Sequence, residues 1–126
     1  MKTEIATKWA DALESGEYEQ GRLTLERTLE DGSAKYCCLG VLCELAIADG
    51  VYVQKLSRPY VEPGDSHALY GVERESVSLP EEVMRWSGVQ TKQAFVPGAH
   101  TLLAQNDRGT PFSEIAKIIR ANADTI

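Results

Sequence analysis

One stretch constrains this chain more than any other: Tyr36-Cys37-Cys38-Leu39-Gly40-Val41-Leu42-Cys43-Glu44-Leu45-Ala46-Ile47-Ala48. It is the only long apolar run, and its single charge is Glu44. Its thirteen residues are too many for an ordinary strand and too few for a membrane span. The run therefore reads as a buried central helix on which the other segments pack. At 100° per residue, Cys37, Gly40, Glu44 and Ala48 share one stripe, and Leu39, Leu42, Cys43 and Ala46 lie opposite. A mid-helix glycine costs about 1 kcal/mol relative to alanine, so Gly40 needs a reason. Either another element crosses closely there, or a ligand or partner approaches with Glu44 as an acceptor. Asp49-Gly50 ends the helix, with glycine free to take the left-handed cap.

The three cysteines follow from the same reading. Their number is odd, and Cys37 and Cys43 point to different sides of one helix, so they cannot bridge within it. Buried free thiols behave as small hydrophobes. Cys37, at the helix start, is the one whose thiolate a helix N-terminus could favour. There is no Cys-x-x-Cys pair, and His67 and His100 stand alone, so no metal and no cofactor is expected.

The remaining segments are amphipathic. Thr3 to Ser15 reads as a first helix, capped by Thr3, with Ile5, Trp9, Ala12 and Leu13 on one face, Gly16 as its stop and a Glu4–Lys8 pair. Trp9 is expected to lie on the central helix. Glu17 to Gly21 is a connection, and Arg22 to Leu25 alternates like a strand. Asp31-Gly32-Ser33 is a turn signal, which suggests a hairpin pairing residues near 23–28 with 34–36. Val51 to Leu56 reads as a strand. Residues 57–71 hold two prolines and two glycines and read as a long loop, either a binding surface or a mobile loop without a ligand. Val72 to Val77 reads as another short strand. Ser78-Leu79-Pro80-Glu81 resembles a capping box that opens a short helix closed by Gly88. A strand is possible at residues 93–96. Asn106-Asp107-Arg108-Gly109 reads as a turn. Thr110 and Pro111 open a last helix with Phe112, Ile115, Ala116 and Ile119 on its apolar face, and residues 122–126 are expected to fray.

These elements describe a compact single domain over residues 1–126. The fold class is α+β: a central buried helix, surrounding helices and a small, mainly antiparallel sheet. Met1-Lys2 leads into an amphipathic segment, so a cytoplasmic protein without a membrane partner is expected. The net charge is −6, and residues 1–79 carry 8 basic against 14 acidic side chains. With no basic run in the sequence, binding to a nucleic acid duplex through phosphates is disfavoured. No phosphate loop, dinucleotide fingerprint or paired-histidine motif is present.

Four segments together carry a resemblance. They are Trp9…Ala12-Leu13…Ser15-Gly16…Tyr18…Gln20, Tyr36-Cys37-Cys38-Leu39-Gly40-Val41-Leu42-Cys43, Leu79-Pro80…Val83…Trp86…Gly88, and Asn106-Asp107…Gly109…Phe112…Ile115-Ala116…Ile119. In this order they resemble small, functionally uncharacterised proteins of bacteriophage and prophage genomes. Pro111 stands where a Ser or Thr before the Phe would be expected, which moves the cap to Thr110. The resemblance implies a setting, a virus-encoded accessory protein acting on host defence, and no activity. Within it, binding to a host protein through exposed aromatics such as Tyr52, Tyr60 and Tyr70 is the first reading. Binding of a small host signalling molecule, such as a defence nucleotide, is the second, and a small hydrolase is the third. No catalytic residue is assigned. The polar residues that flank buried segments, Tyr18, Gln20, Arg22, Tyr36, Asn106 and Asp107, are the candidate ligand- or partner-binding set.

Overall fold

A computed structural model describes residues 1–126. The chain folds around the apolar run. Helix α2, Cys38–Ala48, has Cys38, Leu39, Gly40, Val41, Leu42, Cys43 and Ala46 all buried. Helix α1, Thr3–Glu14, turns Ile5, Ala6, Trp9, Ala10 and Leu13 inward, a three-and-four spacing that gives one apolar stripe. The Trp9 indole N–H donates to the Cys38 carbonyl at 2.8 Å, so the tryptophan docks on α2 by hydrogen bond as well as by burial. Helix α3, Glu81–Ser87, and helix α4, Leu102–Asp107, also pack on α2, while helix α5, Phe112–Asn122, lies along α1. No helix is long and apolar enough to cross a membrane.

A four-stranded antiparallel sheet accompanies the helices. Its strands are β1 (Glu26–Thr28), β2 (Ala34–Tyr36), β3 (Lys55–Pro59) and β4 (Ser66–Tyr70), in the spatial order β2-β1-β4-β3. Strands β5 (Phe95–Val96) and β6 (His100–Thr101) form a separate two-residue ladder. The architecture is the α+β class expected from the sequence.

The close approach at Gly40 is made by the chain itself. A Cβ there would fall 1.8 Å from the Leu25 carbonyl oxygen and 2.7 Å from its carbon. The same carbonyl accepts the Cys37 N–H at 3.2 Å. Packing, not ligand approach, therefore explains the glycine. Glu44, on the same stripe, accepts from the Tyr70 hydroxyl at 2.8 Å and from Lys55 Nζ at 3.1 Å. Lys55 also donates to Glu26 at 2.9 Å, so the strands and α2 share one polar seam.

Several expectations are corrected. The segment 57–71 is not a loop: it holds most of the β3–β4 hairpin, with only residues 60–65 as the connection. Pro59 closes an edge strand, where its missing N–H is tolerated. Tyr70 is fully buried, so it leaves the set of exposed aromatics. The strand near residue 22 starts only at Glu26, because Leu23 takes φ +73°. The strand after Gly50 starts only at Lys55, and residues 72–77 form turns with a single Tyr70–Glu75 bridge. Tyr36 ends β2 and does not enter the helix. Thr3, Ser78 and Thr110 are not caps; Lys2, Pro80 and Pro111 hold those positions without a side-chain bond. Lys8 pairs with Asp49 at 3.6 Å and not with Glu4. The C-terminus is docked: Ile126 is buried and its carbonyl accepts from Gln90 N–H at 2.9 Å.

The cysteines are free and fully buried. Burial pushes the Cys37 thiol up to about 11 despite its place at the start of α2, and pushes Cys38 and Cys43 well above the ordinary thiol value. The helix-start activation considered for Cys37 is thus overridden by desolvation. Native thiol labelling at neutral pH should be slow at all three and fast after denaturation. Rapid labelling of the native protein would show that α2 is not enclosed.

Candidate functional site

Two helix N-termini meet the segment that follows α1. Helix α2 begins after Cys37, and α5 begins after Pro111, and neither flanking residue supplies a side-chain cap. Their first N–H groups are satisfied from elsewhere. Asn106, fully buried on α4, accepts the Cys38 N–H through Oδ1 at 3.1 Å. Gln20 accepts the Phe112 N–H through Oε1 at 3.1 Å. The two amides are also joined to each other, Gln20 Nε2 donating to Asn106 Oδ1 at 3.1 Å. Asn106 Nδ2 donates to the Gly21 carbonyl at 2.8 Å, and Gln20 Nε2 to the Thr110 carbonyl at 2.8 Å. Every polar atom of this pair is committed inside the protein, which is the signature of a structural joint.

Asp107 belongs to the same joint. Its Oδ1 accepts the Leu23 N–H at 3.0 Å and so holds the residue with the positive φ. Asn106 and Asp107 are the last two residues of α4, not a turn as their composition suggested. Tyr18 and Tyr36 form a pair of their own, edge to face with ring centroids 5.3 Å apart. Burial, followed by the nearby Glu26, pushes the Tyr36 phenol up, so it stays a neutral donor. Of the six residues singled out in the sequence, only Gln20 and Arg22 line an open concavity.

That concavity is a cleft of about 410 Å³ between residues 20–24 and the β1–β2 hairpin. Gln20, Gly21, Arg22, Leu23, Thr24, Arg27, Leu29 and Lys35 line it. Three cations therefore converge in a chain whose net charge is −6. They differ in how they are held. Arg27 gives Nε and Nη2 to Asp65 Oδ2, at 3.0 and 2.6 Å, and rests over the Tyr60 ring at 4.5 Å. Lys35 is 3.6 Å from Glu19, whose side chain is 63 % exposed. Arg22 has no carboxylate within 4 Å, and its guanidinium lies over Gly109, where a Cβ would come within 2.8 Å of Nη2. Thr24, nine-tenths buried, contributes a hydroxyl with no hydrogen-bond partner.

The sheet register extends this cationic face. Lys35 stands opposite Arg27, Arg27 opposite His67, and His67 opposite Arg58. Directly opposed residues of antiparallel strands share a face, so one basic or imidazole side chain from each strand falls in a line. No basic run in the sequence announces this row. Burial, and then Arg58, push the His67 imidazole down, which keeps it neutral near pH 7. A smaller hollow of about 240 Å³, lined by Glu26, Lys55, Ser57 and Ser66, has its charged groups paired with one another.

A family model described as Domain of unknown function (DUF8296) matches residues 1–123. The chain belongs to this family. No curated protein and no solved structure matches it. In this DUF8296 domain the residues that sequence reasoning missed are Thr24, Arg27, Leu29 and Lys35. A signal for two of them existed, since a hairpin centred on Asp31-Gly32-Ser33 sets Arg27 across from Lys35. Nothing local marks Thr24 as buried.

Proposed function

We propose that the chain is a non-enzymatic accessory protein that works by holding a small anionic molecule in the cleft beside Arg22. The observation that carries this is the unpaired Arg22 guanidinium, set with Lys35 and Arg27 around one concavity of an acidic protein. Binding pockets for small ligands are typically about 300–1,000 Å³ with a few convergent polar groups, and the cleft falls in that range. The resemblance to phage and prophage proteins supplies the setting, interference with a host defence through one of its small messengers. The reading by host-protein docking has less support: Tyr70 is buried, and the exposed apolar side chains Leu23, Tyr52, Val61, Val72 and Phe95 come from five separate segments. A cysteine hydrolase is not favoured, because all three thiols are enclosed and protonated near neutral pH.

Native mass spectrometry of the protein recovered directly from infected-cell lysate tests the reading. A small-molecule adduct is expected on the wild type and not on Arg22→Ala, with equal thermal midpoints. A stoichiometric protein partner with no small adduct would move the function to a protein interface instead.

A further inference from the structure

We infer that the anion is a phosphate monoester, its phosphoryl group seated between Arg22 and Lys35 beside the Thr24 hydroxyl and its organic body lying along Leu23 and Leu29. This rests on the small-anion reading above and names the chemistry that the same cleft selects.

Charge is the first argument. Arg22 has no internal counter-ion, and Lys35 is held only at 3.6 Å by a largely exposed carboxylate. Exposed pairs of that kind contribute little and exchange readily. Arg27 is engaged by Asp65 on one side of its fork, which fixes it in place beside the other two. The cleft therefore offers about two uncompensated positive charges. A monocarboxylate would balance one. A phosphate monoester carries about −1.5 to −2 charges near pH 7 and three strong acceptor oxygens, and it balances both.

Hydrogen bonding is the second argument. Buried hydroxyls are almost always satisfied, and the Thr24 Oγ1 is not. A phosphoryl oxygen would accept its proton while the arginine fork takes two others. Size is the third. About 410 Å³ is far more than a bare oxyanion fills, and Leu23, 61 % exposed at the rim, with Leu29, gives the remaining space an apolar wall.

Isothermal titration with four probes decides it: adenosine 5′-monophosphate, ribose 5-phosphate, adenosine and glutarate. The two monoesters are expected to bind, adenosine to fail, and glutarate, a dianion without a phosphoryl group, to bind far more weakly. Arg22→Ala should weaken the monoesters by about ten- to a hundredfold, the loss of a charge-assisted hydrogen bond. Thr24→Val should weaken them by a smaller factor, with thermal midpoints at or above wild type for both variants. Glutarate bound as tightly as the monoesters, and lost in Arg22→Ala, would overturn the phosphate inference while leaving the small-anion reading intact. No Arg22-dependent binding of either monoester would also overturn it, and the lysate measurement then decides the parent reading separately.

Discussion

Gly40→Ala is expected to lower the urea midpoint sharply, by an amount equivalent to about 3 kcal/mol or more. In an open helix the same change would be stabilising by about 1 kcal/mol, because alanine loses less backbone entropy. Here the added methyl carbon falls 1.8 Å from the Leu25 carbonyl oxygen. No side-chain rotation can relieve that contact, since the neighbour is backbone. Leu25 is itself held on both sides, its N–H by the Ser76 carbonyl at 2.7 Å and its carbonyl by the Cys37 N–H at 3.2 Å. Moving it away from α2 breaks the second bond and loosens the entry to β1. Overpacking ordinarily costs about 1–3 kcal/mol and more where the surroundings cannot give. Against a total of about 5–15 kcal/mol this is a large fraction. A midpoint equal to or above wild type would mean that Leu25 and α2 do not touch.

Asn106→Ala is expected to be comparably damaging, by about 3–5 kcal/mol. The amide is fully buried and makes three bonds, to Cys38 N–H, Gln20 Nε2 and the Gly21 carbonyl. Its removal strands a buried helix-start donor and a buried carbonyl, and each costs about 1–3 kcal/mol when unsatisfied. Asn106→Asp separates capping from network. A carboxylate suits a helix N-terminus and could still accept from Cys38 and Gln20. It would, however, set an anionic oxygen against the Gly21 carbonyl in place of a donor. Both variants should therefore destabilise, and Gln20→Ala should add less in the Asn106→Ala background than alone. Denaturation curves of the two singles and the double measure this. Full additivity would show that the two amides are not one unit, and an Asn106→Ala loss below about 0.5 kcal/mol would place the residue at the surface.

What was legible in the sequence is what local pattern controls. The apolar run gave a buried helix, Gly40 gave a close crossing, and Asp31-Gly32-Ser33 gave the turn between β1 and β2. Helix α4 was hidden, because Asn106-Asp107-Arg108-Gly109 has turn composition and its helical state depends on partners far away in sequence. The β3–β4 hairpin was hidden by Pro59, Pro63 and Gly64, which suggest irregular chain but sit at a strand end and in the connection. The caps of α2 and α5 were missed for a related reason. A capping motif is read within four residues, whereas Gln20 and Phe112 are 92 residues apart. For the candidate site, Arg22 and Gln20 were visible as polar residues beside buried segments. The cleft itself follows from the left-handed Leu23, and no residue type announces a leucine in that conformation.

The joined amides also set a schedule for the newborn chain. Asn106 lies 68 residues beyond the Cys38 it caps, and Phe112 lies 92 residues beyond Gln20. While a ribosome is still making the chain, the central helix has its apolar residues but lacks the group that closes its first turn. That group arrives only when most of the polypeptide has been translated. Contacts of such long range slow folding, because the loop must close before they contribute. The nascent protein thus holds its most apolar helix, with three reduced thiols, incompletely enclosed until synthesis is nearly over. During that interval, and not afterwards, the chain is open to oxidation and to chaperones.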